Sequence, residues 1–372
     1  MFAVDSEFHG GSIEVVSLPS RGTVELALRS DSAAAIQQWF SFTVASNAKA
    51  RRVAIVNAGD SSFPNGWPGY EVMASADGKS WSRVATEFDQ GALSFLHNAR
   101  SELTHYAYFA PYSAARLARQ LARINRASHV DVRELGRSYA DAPLYEVELG
   151  DSDAQRTVWL IARQHPGETP ASWAIEGLLK RLAKAADEPT RELLERAVIR
   201  VVPIVNPDGA ELGNHRTSAS GADLNRVWDD PSEETPEVSA ILRRLEETGC
   251  DLFFDLHADE SSSAAFAAKS EGNPSFTSEI ETAEAELSSS LAAYCHEFID
   301  EPYYELDAPE EADLSCAANQ IGERFGCPSI TLELPMKGDG TERVRRGWNE
   351  RRAHKFGAAM VDALAEVVLR NL

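Results

Sequence analysis

TVWLIARQHPGETPASWAIEG (157–177) reads as three pieces in succession: an apolar strand over 157–163, a sharp turn, and a helix that begins near Pro170. Outward from it the same alternation repeats. AVIRVVPIV (197–205) is a near-continuous apolar run, and PEVSAILRRLEET (236–248) has helical periodicity and leads into DLFFDL (251–256). A helix near 315–325 precedes SITLEL (329–334), and a last helix runs from about Asn349 to the C-terminus. VDVRELG (130–136) and LYEVELG (144–150) form a β-pair ahead of the alternation, and the Ser- and Glu-rich segment 270–290 reads as a loop plus a charged helix. Apolar strands alternating with helices predict an α/β fold, with a parallel or mixed sheet flanked by helices on both faces.

The first 113 residues follow another rule. SIEVVSL (12–18), TVELALR (23–29), WFSFTV (39–44), RRVAIVN (51–57) and YEVMASA (70–76) are rich in β-formers, and turn residues such as Phe63-Pro64-Asn65-Gly66 and Ala76-Asp77-Gly78 lie between such runs. That spacing predicts an all-β sandwich over 1–113. SAARLARQLARI (113–124) then reads as a linking helix, with the second domain over 114–372.

The bulk numbers restrict partners. With 36 basic against 58 acidic residues, the net charge of -22 repels nucleic acid and anionic membranes, so neither is expected as a partner. The first residues, MFAVDSEFHGGSIEVV, lack the basic and apolar regions of a secretory signal, and no apolar run approaches a membrane span. Cys250, Cys295, Cys316 and Cys327 form no C-x-x-C pair and are too scattered for a disulfide framework, which suits a reduced, cytoplasmic protein.

In open α/β sheets, ligands bind beyond the carboxyl ends of the strands. His165 and Glu168 follow the strand 157–163, Asn206 closes 197–205, His257 ends 251–256, and Glu333 ends 329–333. A catalytic zinc needs three protein ligands, drawn from imidazole nitrogens and carboxylate oxygens, plus an open position. His165-Pro-Gly-Glu168 can supply two if the loop turns sharply, and Pro166-Gly167 supplies the turn. Alone, H-x-x-E carries little specificity. His257, at the end of its own strand, is the natural third ligand, while His215, the rival, lies in a loop that suits a substrate-side or polar role. Asn206-Pro-Asp-Gly is a turn signal in its own right. Arg216, Asn225 and Arg226 suit capture of a carboxylate and stabilisation of an oxyanion, against the plainer reading of surface salt bridges.

HPGE (165–168), NPDG (206–209), DLNR (223–226), DLH (255–257) and TLE (331–333) together resemble the M14 metallocarboxypeptidases, and WFSF (39–42) with YFAPYS (108–113) resembles the amino-terminal hallmarks of their cytosolic subfamily. The resemblance covers nearly the whole chain. It implies a mixed eight-stranded sheet and one Zn²⁺ per chain on His165, Glu168 and His257. It also implies Glu333 as the catalytic carboxylate and Arg216 as the group that polarises the scissile carbonyl. Asn225 and Arg226 would hold the substrate's C-terminal carboxylate, and Asp223 would orient a metal-bound histidine. The expected substrate is the C-terminus of a peptide or protein, with acidic residues preferred in the subfamily. A tyrosine closing over substrate is expected about twenty residues before Glu333, but the nearest, Tyr303 and Tyr304, stand about thirty before it. Arg324 and Lys337 are the cations nearest Glu333 in sequence, and both read as surface residues. The rival readings are a zinc amidohydrolase of the aspartoacylase and succinylglutamate desuccinylase type, acting on N-acyl amino acids, and a binding module on an inactive peptidase fold.

Overall fold

The computed structural model describes residues 2–46, 50–98, 101–338 and 347–370. Up to Ala107 the chain builds two five-stranded sheets. One orders Phe2–Asp5 (β1), Ser41–Ser46 (β4), Leu103–Ala107 (β10), Val72–Ser75 (β6) and Ser82–Val84 (β7). The other orders Glu14–Ser17 (β2), Val24–Ala27 (β3), Arg51–Ile55 (β5), Ala92–His97 (β9) and Thr86–Asp89 (β8). Alternate side chains point inward, as the two-residue period of a strand requires: Val24 and Leu26 are buried around exposed Glu25. Phe95 of β9 meets Tyr106 of β10 at a ring separation of 4.8 Å, joining the sheets through a common core.

The second sheet system is mixed. Its order is Val130–Arg137 (β11), Pro143–Leu149 (β12), Ala197–Val202 (β14), Arg156–Ala162 (β13), Leu252–Asp259 (β15), Ser329–Pro335 (β17) and Phe266–Ala268 (β16). Seven strands stand among the described residues, where the resemblance implies eight. β14, β13, β15 and β17 run parallel, and antiparallel strands close both edges. The central strands carry no polar alternation because both faces are covered. Trp159 and Ile161 pack with Val238, Ile241 and Leu245 from Pro236–Thr248 (α5), and with Ile321 from Ala317–Phe325 (α7). Val158 and Leu160 belong to the opposite core, with residues of Thr169–Lys184 (α2) and Glu350–Arg370 (α8). Ala114–Ile124 (α1), Glu188–Arg196 (α3), Pro207–Leu212 (α4) and Ser278–Tyr294 (α6) complete the helices named here. The helix expected from Asn349 onward is therefore seen over α8, and residues 371–372 lie outside the described ones. Asn206-Pro-Asp-Gly is more than a turn: Asn206 caps α4, its side chain accepting from the Gly209 N–H. All four cysteines are free, and no helix is long and apolar enough to cross a membrane among the described residues.

Candidate active site

The carboxyl ends of β13, β14, β15 and β17 lie side by side, so residues far apart in sequence share one rim. His257 on β15 and Glu333 on β17 are directly paired in register. The loop after β13 begins with Arg163 in the left-handed region, φ 65°, which turns the chain out of the sheet. Gly167 then passes against His215, donating its N–H to the His215 carbonyl at 2.7 Å. A Cβ on Gly167 would lie 2.3 Å from His215 Nδ1, so only glycine allows this approach. The turn returns Glu168 beneath His165.

His165, Glu168 and His257 are all buried, and each offers one donor atom within 4.8 Å of the others. His165 Nδ1 lies 2.7 Å from Glu168 Oε1, His257 Nδ1 lies 2.9 Å from Glu168 Oε2, and the two Nδ1 atoms are 3.1 Å apart. Tetrahedral ligands at the usual zinc distances of about 2.0–2.1 Å are separated by about 3.3 Å, close to this spacing. The outer nitrogens are engaged by acids: His165 Nε2 donates to Asp223 at 3.0 Å and His257 Nε2 to Asp255 at 2.7 Å. With Nε2 protonated, each Nδ1 keeps its lone pair for the cluster, the tautomer that a metal-binding imidazole requires. The donor set therefore fits zinc.

Glu333 is buried, and its Oε2 has no hydrogen-bond partner. Burial pushes its carboxyl well above the usual range; His257 opposes this, while Glu168, Asp259 and Glu260 reinforce it. A buried carboxyl with one unpartnered oxygen is placed to accept and return a proton. The two candidate tyrosines separate cleanly. Tyr304 OH donates to Asp259 at 3.0 Å and approaches Glu333 Oε1 at 3.4 Å, whereas Tyr303 stacks on Phe266 with 4.5 Å between ring centroids. Tyr304 as a whole is 44% exposed, but desolvation of its hydroxyl, with the charges of Glu333 and Asp259, keeps it protonated far above the usual tyrosine range.

Arg216 donates through Nε to Asp223 at 2.7 Å, so one carboxylate links the arginine to His165. Asn225 is buried, with Oδ1 accepting from the Ala317 N–H at 2.8 Å and Nδ2 lying 3.5 Å from His257 Nε2. Arg226 remains half-exposed, 3.7 Å from Asp313. Arg324 is a surface residue paired with Glu246 at 2.7 Å. Lys337 departs from the surface reading: it is buried, donating to the carbonyls of Pro68 at 3.0 Å and Gly66 at 3.2 Å. His215 is also buried, with Nε2 2.8 Å from Glu260.

Three contributors escape sequence reasoning. Asp255 is visible in Asp-Leu-His as a residue two before His257, on the same strand face, but nothing in the sequence gives it a role. Gln164 joins it, donating to Asp255 at 2.6 Å and accepting from Trp228 Nε1 at 2.8 Å. Asp31, from the β-rich part, accepts the N–H groups of His215, Arg216 and Thr217 at 2.6, 3.0 and 2.8 Å, and no local pattern marks it.

Imidazoles and carboxylates converging at the strand ends of a mixed α/β sheet form the arrangement of a metal-dependent hydrolase. The profile of the cytosolic carboxypeptidase N-terminal domain matches residues 4–109, and that of the zinc carboxypeptidases matches 118–350. The chain is 37% identical to a metallo-carboxypeptidase from Burkholderia cenocepacia, with TM-score 0.95 over 99% of both chains. It is 36% identical to one from Pseudomonas aeruginosa, solved in complex with (2-guanidinoethylmercapto)succinic acid, with TM-score 0.94 over 98% of this chain and 99% of that one. Human cytosolic carboxypeptidase 6 is 27% identical over 68% of this chain, which spans 56% of that protein's length. The chain belongs to the M14 zinc carboxypeptidase family and is a metal-dependent peptide hydrolase.

Proposed function

We propose that the chain removes C-terminal residues from peptides or proteins with a single zinc ion held by His165, Glu168 and His257. The observation that supports this most strongly is the three-donor cluster beside the unpartnered Oε2 of Glu333. When bound, zinc supplies Lewis acidity toward a carbonyl and brings the pKa of a water to about 7. Glu333 accepts the water's proton and hands it to the leaving amine. Arg216 faces the developing oxyanion, and Asp223 fixes both that guanidinium and the His165 ring. Asn225 and Arg226 take the free carboxylate of the substrate, with Arg226 exchanging Asp313 for it. Tyr304 closes over the scissile bond. In the same reading the chain divides at residue 113 into a β-sandwich and a catalytic domain, and works in the cytoplasm, where four free thiols persist.

An acidic preference, including isopeptide-linked acidic residues, is the finer expectation that the resemblance carries. Neither Arg324 nor Lys337 supports it, since the first is paired on the surface and the second is held by carbonyls. Peptides ending in Glu, Leu and Lys, assayed in competition, decide it: a kcat/KM for Glu no higher than for Leu removes the preference.

The function itself is tested by comparing free and amidated forms of one peptide beside an N-acyl amino acid. The expected result is cleavage of the free peptide alone, with zinc bound and lost in His257→Ala. Equal cleavage of the amidated form, or turnover of the N-acyl amino acid instead, would refute the carboxypeptidase reading.

A further inference from the structure

A cavity of about 250 Å³ opens between the β-rich part and the mixed sheet. Trp39, Tyr112, Tyr145, Ile204 and Pro207 line it, and so does Arg163. Arg163 is 3% exposed. Its Nε donates to the Pro166 carbonyl at 2.5 Å and its Nη1 to Ser172 Oγ at 3.0 Å. A guanidinium has five N–H groups, so these bonds leave donors over. No carboxylate among the described residues forms an ion pair with Arg163, and Glu168, which acts on it electrostatically, is committed to the two imidazoles. Its Nη2 has no hydrogen-bond partner among the described residues and is not one of the sealed, unpartnered atoms, so it keeps its donors free beside the cavity that Arg163 lines. Glu211, on the rim, is exposed and paired with His9 at 3.1 Å, and does not neutralise it.

Burying a cation without a counter-ion is costly, and bracing Pro166 does not call for a guanidinium with unused donors. Aromatic and aliphatic walls around one convergent charged group form the usual architecture of a small-molecule site. We propose that this cavity binds a small organic monocarboxylate with an aromatic or branched-aliphatic body. The carboxylate lies on Arg163, and the hydrocarbon packs against Trp39, Tyr112 and Ile204. The site is separate from the peptide-carboxylate contacts of Asn225 and Arg226 and does not depend on them.

The test uses the zinc-loaded full chain titrated calorimetrically with 3-phenylpropionate and with its neutral counterpart, 3-phenylpropanamide. Because the acid can also enter the peptide site, the titration is made in Arg226→Ala. There the acid should still bind, and the amide should bind roughly thirtyfold more weakly or worse. Arg163→Met should abolish the preference for the acid, but that change also removes the brace on Pro166. Ala114→Trp supplies the independent arm, since it fills the mouth from an exposed position. It should abolish acid binding in the Arg226→Ala background and, introduced alone, leave peptide hydrolysis near that of the unsubstituted chain. Acid binding that vanishes in Arg226→Ala, survives Ala114→Trp, or matches the amide overturns the proposal, whatever the peptidase assay shows.

Discussion

Glu333 and the three donors of the cluster can be separated by substitution, because they differ in what they must give up. Glu333→Gln keeps the shape of the side chain and leaves His165, Glu168 and His257 untouched. Zinc content should therefore be unchanged while turnover falls on the order of 10²- to 10⁴-fold, the usual contribution of a general base. Turnover near that of the unsubstituted chain would make Glu333 structural. The acids behind the imidazoles behave differently. Asp223 and Asp255 meet the imidazoles only at their outer nitrogens, at 3.0 and 2.7 Å, so Asp223→Asn and Asp255→Asn should lower zinc affinity by roughly 10- to 100-fold. Competition with a chelator measures this directly; unaltered affinity in both variants would mean that the rings are held by packing alone. Asp255 illustrates what a sequence conceals. Its spacing from His257 is legible, but its role depends on Gln164 arriving from β13.

At the scale of elements, the strands of the mixed sheet were readable because burial on both faces leaves an uninterrupted apolar run. PEVSAILRRLEET, with Pro at its start and Gly249 after its end, marks α5 to the residue. Short edge elements carry no such signal: β16 has three residues, and β7 is equally brief. The tyrosine ambiguity has the same origin, since spacing to Glu333 cannot say which neighbour turns toward it. Helix crossings are equally hidden. Gly177 of α2 and Gly357 of α8 let the two backbones touch: a Cβ on Gly357 would sit 1.8 Å from the Ala174 carbonyl oxygen, and one on Gly177 1.9 Å from that of His354. Gly357→Ala gains about 1 kcal/mol of helix propensity, but the obstacle is backbone, so α8 must shift bodily. Overpacking of that kind typically costs about 1–3 kcal/mol, and the net effect should be a lower Tm. An unchanged or raised Tm would show that the crossing has slack.

Across the whole molecule, the β-rich part is built into the active site, which the motifs alone do not disclose. Lys337, four residues after Glu333, is pinned by the carbonyls of Gly66 and Pro68, and Arg83 donates to the carbonyls of Met336 and Trp348 at 2.6 and 2.9 Å. Asp31 reaches furthest. It is 6% exposed, and its carboxylate accepts three successive N–H groups, those of His215, Arg216 and Thr217, together with the Thr217 hydroxyl at 3.0 Å. One carboxylate thus sets the path of the segment that carries Arg216, while Arg216 itself is clamped to Asp223 on its other side. Leaving a buried N–H unsatisfied costs about 1–3 kcal/mol, so Asp31→Ala should release the segment rather than leave it in place. Asp31 touches none of the proposed zinc ligands His165, Glu168 and His257, so zinc content should hold. The loss should fall on kcat/KM, by about tenfold or more, if Arg216 must meet an oxyanion in fixed geometry. Asp31→Asn retains one oxygen acceptor and should recover part of the rate. A variant with a lower Tm but unchanged kcat/KM would reduce Asp31 to a structural tie. A variant that loses zinc would show that the segment also supports the metal loop, through the Gly167 N–H bonded to the His215 carbonyl.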